Sequence, residues 1–564
     1  MSDASASTLT RRSFVMAAGV AAAGAVSGAA RVAHAGEAAV GAVSAAPESW
    51  DVEADIVIVG CGGAGLAAGI TAADEGLGDA IILEAAPEGY EGGNFRVSAQ
   101  VIFCPDDVDG AIEYQTNLNG PHKVDEKYLR AWAENLTQNI DWLQSQGIKT
   151  QETAFFNPEW PDVKGSEHCH CYLAGEEMGF GMLWDAMWSR AQELGVKVQW
   201  DTRVVGLVTD RETGEVLGVR DDAGKTYKAR KGVLLACGGF ENDRDMVANY
   251  FQIGYSECRP MGTPYNRGDG IKMAQSVGAD LWHMNNFSNS GYGLMSAGED
   301  DDMKSIVITQ WPGKDYIYVG PDGTRFMYEE TQSLARHGKM LTAGNATNAA
   351  QPAGSWCVFG SDTFNSDQCV FQQDYICQWN IQYGLAAHHT NQEYLDAGQI
   401  VTGDTPEELA EAMGMDPEAL ANTINSYNEN AANNEDPDFK RGTDVYSAFN
   451  YGAQGESANA GKSQADNGGG EMEPSIRSFD LVPLKPPYYA VHMYTCILNT
   501  QGGPRRDVDG SVMKFDGTDV PRLYAAGELG TVYAYNYNGG GNVSEAISSG
   551  RLAARSIGAL EAWE

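Results

Sequence analysis

Basic residues are scarce in this chain: 38 Lys and Arg stand against 77 Asp and Glu, a formal net charge of −39 over 564 residues. A surface of that sign repels phosphate backbones and anionic headgroups, which sets nucleic acid and anionic membrane surfaces aside as partners. Cysteine is sparse too, ten in all, with no CxxCH for haem attachment and no CxxC for a cluster. Beyond residue 35 no segment approaches the roughly 20 apolar residues of a membrane-spanning helix. Only one GxGxxG sits on a strand-to-helix turn, so one bound dinucleotide is expected rather than two. What remains is an ordinary globular composition, 43% hydrophobic with 67 Gly, long enough for two or more domains with substantial cores.

The first residues read as an address. Thr10-Arg11-Arg12-Ser13-Phe14 precedes an Ala/Gly-rich run from Val15 to Ala30 that ends in Ala33-His34-Ala35, a small-x-small cleavage pattern. The pattern resembles a twin-arginine export signal over residues 1–35, cleaved after Ala35. That route carries folded proteins, which implies a cofactor inserted in the cytoplasm and work done in the periplasm or cell envelope.

The chain after the leader opens with ADIVIVGCGGAGLAAGITAADEGLGDAIILE. An apolar strand runs into Gly60-Cys61-Gly62-Gly63-Ala64-Gly65, then a helix with small residues on its packing face, then a second strand ending at Glu84. Each part has a mechanical job. Gly60 makes the turn, Gly62 lets a pyrophosphate approach the backbone, Gly65 lets helix and strand pack closely, and Glu84 holds ribose hydroxyls. Gly92-Gly93-Asn94, GVLLACGGFE (232–241) and PRLYAAGEL (521–529) then bring the chain back to the same site three times. With no nicotinamide site of its own, the protein is expected to hold FAD and to receive electrons from a separate membrane or periplasmic redox partner.

These segments, with TPYNRGDGIKMAQSVGADLWHM (263–284), DGTRFMYEE (322–330) and TPEELAEAMGMDPEALANTINSYNEN (405–430), resemble the flavoprotein family of soluble fumarate reductases, urocanate reductases and ketosteroid dehydrogenases. The resemblance covers nearly the whole chain after the leader. It implies an α/β fold: a Rossmann-like FAD-binding domain in two pieces, 50–287 and 499–564, enclosing an α+β clamp domain over 288–498, with substrate between clamp and flavin. Gly60, Gly62, Gly63, Ala64, Gly65, Glu84, Gly93, Asn94, Val205, Ala236, Asp269, Glu528, Asn542 and Val543 are the implied FAD contacts. Asn94 stands where succinate dehydrogenases carry a flavin-linked histidine, so the FAD is expected to be non-covalent. In the clamp, Thr405 with Glu408 reads as a capping box, Asp416-Pro417 starts a second helix, and residues 452–471 form an exposed loop.

The catalytic positions depart from the family. Its two carboxylate-binding histidines fall on Ser290 and Asn499, its binding arginine on Asn538, its acid on Ser333, and its proton relay on Thr309 and Pro312. A site stripped of cations does not stabilise a dicarboxylate, since each unpaired buried charge costs several kcal/mol. In place of the arginine-bearing loop stands YAYNYNGGGN (533–542). Alternation in an extended chain would turn Tyr533, Tyr535 and Tyr537 to one side, as a wall for a flat, neutral or weakly charged substrate. Tyr535 and Arg336 are the candidate proton donors, the arginine reloaded by Glu329, Glu330 or His337, and Tyr328 completes the pocket. Residues 168–171 read His-Cys-His-Cys, but alternation points the two histidines away from the two cysteines. No metal is expected there, and His170 is placed in the substrate pocket. Of the other cysteines, Cys369 and Cys377 form the nearest pair for a disulfide. The reading is an exported FAD-dependent reductase delivering hydride from flavin N5 to a conjugated C=C. The same site run in reverse as a dehydrogenase, or a flavin electron carrier, are the alternatives.

Overall fold

Strand β1 (Val52–Val59) becomes wholly buried over its last four residues, the pattern of a parallel strand covered on both faces. It feeds helix α1 (Gly63–Asp74) through Gly60, whose φ of +103° only glycine adopts without strain. A Cβ on Gly65 would lie 1.9 Å from the Gly60 carbonyl oxygen, so the helix seats on the strand because that side chain is missing. In the computed structural model the described residues run from 40 to 563, except 155–156, 161–162, 177–178, 255–256, 289–291, 296–304, 309–314, 328, 330–339, 343–344, 348–351, 367–368, 372–378, 380–388, 440 and 442–480. The leader, the stretch 452–471, Ser290, Thr309, Pro312, Tyr328, Glu330, Ser333, Arg336, His337 and Cys377 therefore lie outside the described residues.

Around β1 the sheet runs β2 (Ala80–Leu83) and β3 (Lys197–Gln199) on one side and β6 (Thr226–Leu235), β5 (Val216–Asp221) and β4 (Val204–Thr209) on the other. The first half of β6 pairs antiparallel with β5, and its last three residues pair parallel with the strand Asp519–Ala525. Strands β1, β2, β6 and Asp519–Ala525 thus run parallel to one another. Their C-terminal ends share one edge, where α/β sheets bind ligands. Gly60, Glu84, Ala236 and Glu528 follow those ends, so the chain does return to one place. The last helix, Gly541–Gly558, packs on α1 so closely that a Cβ on Gly550 would meet the Ala64 carbonyl oxygen at 2.2 Å.

A second sheet is built on the strand Tyr488–Ile497, which pairs with Trp356–Phe359, Ile400–Gly403, Tyr292–Met295 and Cys258–Pro260. Cys258–Pro260, inside the stretch expected to belong to the first FAD-binding piece, thereby hydrogen-bonds into the clamp sheet. Helices Pro406–Met413 and Pro417–Ala431 cover it through Leu409, Leu420 and Ile424. The Thr405 hydroxyl accepts from the Glu408 N–H at 3.2 Å, but the Glu408 carboxylate returns to Asp404 rather than Thr405, so the box closes one residue early. Asp416 caps the next helix as expected, accepting from the amides of Glu418 and Ala419. Arg325 locks this layer: buried, it makes paired hydrogen bonds to Glu329 and to Asp436.

Candidate active site

Two helix N-termini open on the shared edge without help from any side chain. Helix α1 and the helix Gly541–Gly558 are both preceded by glycine, Gly62 and Gly540, and neither receives a side-chain cap. Apart from the Gly541 N–H, which donates to the Asn538 carbonyl at 2.9 Å, their first-turn N–H groups are left for a ligand, and the helix dipoles favour an anionic one. Gly62 bridges to Gly92, and a Cβ on Gly62 or Gly93 would find nothing nearer than 3.8 Å. That leaves a strip of bare, open backbone. At the head of the last helix both amide atoms of Asn542 are buried and have no hydrogen-bond partner. Glu84 reaches back from the end of β2 to accept from the Cys61 amide at 2.5 Å and the Ala86 amide at 2.7 Å. Burial pushes its pKa up against those two bonds. Gly60 lies against Ala236, with a hypothetical Cβ 2.5 Å from that carbonyl oxygen. Bare glycine backbone, two uncapped helix ends, an orphaned amide and a buried carboxylate together fit a dinucleotide.

Beyond the cradle, Asn94 joins two acids. Its Nδ2 donates to Glu241 Oε1 at 2.8 Å and to Glu528 Oε2 at 3.2 Å, and its Oδ1 accepts from the Thr263 amide. The Thr500 amide donates to Glu528 Oε1 at 2.9 Å, which carries the cluster to Asn499 next door. There the Tyr537 hydroxyl donates to Asn499 Oδ1 at 3.3 Å and accepts from Ser288 Oγ at 3.0 Å. Gln501 Nε2 donates to Ser288, and Thr531 Oγ1 to Gln501 Oε1. The bonds run in one direction, so Gln501 turns the Ser288 hydroxyl toward the phenol. That places a donor where it stabilises a phenolate.

The three tyrosines do not share a face. The backbone bends at Ala534 and Tyr535, pinned by Asn119 on the Ala534 amide, by Leu118 and Gln115 on Asn536, and by Asn286 on the carbonyls of Tyr533 and Tyr535. Tyr533 and Tyr537 stack at 4.9 Å under the last helix, while Tyr535 leaves them to lie on the His122 ring at 5.4 Å. Tyr533 is fully buried and its hydroxyl accepts from Trp132 Nε1, a packing role.

Other expected positions are also corrected. Asn538 is 2% exposed; its Oδ1 accepts from the Tyr114 hydroxyl and the Glu159 amide, and its Nδ2 donates to the Gly539 carbonyl. Those bonds turn it inward rather than toward a substrate. The histidines of 168–171 do face away from the cysteines. His170 therefore sits at the surface between Glu152 and Asp106, at 2.8 and 3.3 Å, instead of lining the pocket. Cys171 is the residue of that run that reaches the loop, at Asn538 and Gly539. Glu329, expected to reload Arg336, is held by Arg325. Asp269 is gripped bidentately by Arg203 at 2.7 and 3.0 Å, and Val205 lies in β4 with its carbonyl taken by Gly41. Ala64 and Val543 lie in the first turns of the two uncapped helices. Glu241, Ser288 and Gln501 were not anticipated. Glu241 directly follows the LLACGGF turn, and that carboxylate at a strand-turn exit was its only local signal.

A family model described as an FAD binding domain matches residues 55–543. The 3-oxosteroid 1-dehydrogenase of Mycolicibacterium smegmatis is 26% identical, over 90% of this chain and 98% of its own. The digoxin reductase of Eggerthella lenta is 25% identical, over 91% and 89%. Among solved structures, the 3-ketosteroid delta1-dehydrogenase of Sterolibacterium denitrificans superposes with a TM-score of 0.68 at 18% identity, covering 90% of this chain and 99% of that one. A flavocytochrome c3 fumarate reductase gives 0.61 at 22%, over 90% and 79%. The cofactor these findings support is FAD.

Proposed function

The chain belongs to the FAD binding domain family, whose members among its relatives are oxidoreductases acting on carbon–carbon bonds, and from that premise we propose that it reduces the conjugated C=C of a flat, neutral or weakly charged molecule. Bound FAD supplies the hydride. The chain's own residues orient the substrate and hold the proton. One observation carries the reading: the side chains gathered beside the Asn94 cluster, Tyr537, Asn499, Ser288, Gln501 and Thr531, are all neutral and hydrogen-bonded to one another. A substrate carbonyl can replace Asn499 as the phenol's acceptor, whereas two carboxylates would find no cation among these groups. Tyr537 takes over from Tyr535 as the proposed acid because Ser288 supports its phenolate.

FAD is held without a covalent bond, since the Asn94 carboxamide stands where a linking histidine would. Electrons come from a separate donor, and the leader of residues 1–35 sends the loaded protein across the membrane. Among the described residues no helix is long and apolar enough to cross one. A second reading, dehydrogenation in the reverse direction, is favoured by the near full-length match to a 3-oxosteroid 1-dehydrogenase.

The deciding experiment mixes dithionite-reduced protein anaerobically with enones, aryl acrylates and fumarate, following flavin reoxidation. Neutral enones or aryl acrylates should reoxidise it and fumarate should not. Reoxidation by fumarate alone would sink the proposal. Bleaching of oxidised protein by a saturated ketone, with no response to any alkene, would establish the reverse direction instead.

A further inference from the structure

Glu241 and Glu528 come from segments far apart in the chain, one after β6 and one after Asp519–Ala525, and meet at Gly239. Glu241 Oε2 and Glu528 Oε1 both lie within 2.8 Å of the point where a Cβ on Gly239 would sit. The two carboxyl groups therefore face each other across a missing side chain. Their surroundings are neutral: Asn94 from helix Gly93–Val97, Asn266 and Thr263 from the turn before Asp269, and Thr500 beside Asn499. Both oxygens of Glu528 accept hydrogen bonds, from Thr500 and from Asn94. Glu241 Oε1 accepts two, from Asn94 and Asn266, but Glu241 Oε2 is buried with no partner. Two carboxylates this close, in neutral surroundings, do not both ionise.

We propose that Glu241 and Glu528 hold one proton between them, on Glu241 Oε2, so that the pair sets a single negative charge beside the bound FAD. They act as positioning residues for charge at the cofactor. The inference rests on FAD binding, not on the choice of substrate, so it survives any outcome of the alkene panel. Burial acts in the same sense on both groups and raises each, Glu241 to about 7.

The sign of the pH dependence follows. An unfolded glutamate releases its proton near pH 4.3, whereas buried Glu241 keeps its proton until about pH 7. Between those values the native state binds more protons, so stability falls as pH rises, by up to tenfold in the folding constant per pH unit for one proton. Glu241→Gln places a permanent amide donor where the shared proton sat. In urea unfolding of the holoprotein, that variant should gain on wild type by up to tenfold per pH unit across this window and run parallel above it. Parallel behaviour throughout would overturn the proposal. Infrared spectra of the wild-type holoprotein at pH 6 give a second measure. The carbonyl band of a protonated carboxylic acid should be present, should titrate near pH 7 and should vanish in Glu241→Gln. Absence of a titrating band in wild type refutes the pair even if the variant does not fold. Loss of the band in Glu528→Gln but not in Glu241→Gln refutes the placement of the proton.

Discussion

Tyr537→Phe removes one oxygen and leaves the ring. The ring keeps its stacking on Tyr533 at 4.9 Å and its contact with the head of the last helix, where a Cβ on Gly541 would meet Tyr537 Cδ2 at 3.0 Å. Two buried partners are stranded: the Ser288 hydroxyl, fully buried, and Asn499 Oδ1, on a side chain 5% exposed. An unsatisfied buried polar group costs about 1–3 kcal/mol, against about 5–15 kcal/mol for a typical domain. The variant should therefore fold, keep its yellow colour and unfold at modestly lower urea. If the phenol is the acid, flavin reoxidation by an enone should slow by about 10²- to 10⁴-fold, or about 3–5 kcal/mol of barrier. Reoxidation by a one-electron dye needs no such proton and should be unchanged. Tyr533→Phe is the matched control, because its hydroxyl meets Trp132 rather than Ser288 or Asn499; it should lose stability without losing turnover. Stopped-flow traces of wild type, these two variants and Tyr535→Phe settle the matter. If Tyr537→Phe turns over within about threefold of wild type while Tyr535→Phe is the slow variant, the assignment to Tyr537 is wrong.

Glu84→Ala should weaken FAD by about ten- to a hundredfold, the loss of charge-assisted hydrogen bonds to ribose hydroxyls, read as colour lost on gel filtration. Asn538→Arg should not create fumarate turnover: the guanidinium would enter a buried site beside Glu159, whose carboxylate already accepts from the Gly539 amide at 2.5 Å, and would pair there. Appearance of fumarate reoxidation in that variant would show that position 538 faces the substrate after all. Arg325→Met should cost about 3–5 kcal/mol in urea unfolding, since Glu329 and Asp436 are left buried without their cation. The same contact depends on pH. Burial alone would raise the Asp436 pKa, but the Arg325 hydrogen bond and charge outweigh it and hold it below the usual value. The contribution is therefore complete above about pH 4 and lost as pH falls through the depressed pKa.

Legibility in the sequence followed the range of the interaction. The turn at Gly60, the acid at Glu84 and the caps at Asp416 and Thr405 are local chemistry, readable because the partner lies within one strand–turn–helix unit. The convergence of four strand ends was also readable, since buried runs ending in Gly-rich turns repeat along the chain. The Asn94–Glu241–Glu528 cluster was not, because its members are separated by 147 and 434 residues. Alternation misled at Tyr535 because it presumes an extended backbone. Side chains at the end of the helix Val108–Leu118, Gln115 and Asn119, and from Asn286 bend that backbone from outside the loop. At His168 to Cys171 the histidines do point away from the cysteines, although His168 ends a 3-10 turn and the strand begins only at Cys171. The inference that failed there was the choice of which side faced the site.

The electrostatics of the two clusters bear on each other. Glu241 and Glu528 put acid beside the cofactor in neutral surroundings, and the hydrogen-bonded chain from Thr531 to Asn499 that adjoins them through Thr500 is neutral throughout. A dianionic substrate would approach a site that is at best singly negative, inside a protein of net charge −39. At an effective dielectric constant of about 20, one like charge at about 6 Å costs about 2–3 kcal/mol, before any desolvation of the substrate. A neutral enone pays neither term, and its carbonyl gains a phenol that Ser288 has already oriented. On the proposed function, the same negative charge beside the cofactor would favour the oxidised flavin and would call for a low-potential electron donor. Selectivity against dicarboxylates and the demand on an electron donor, both parts of the proposed function, would then share one source, the acids at Gly239. Neutralising them in Glu241→Gln/Glu528→Gln should raise the flavin's midpoint potential and relax the exclusion of anionic alkenes together. A rise in potential with no change in alkene preference would separate the two effects and return selectivity to the shape of the pocket alone.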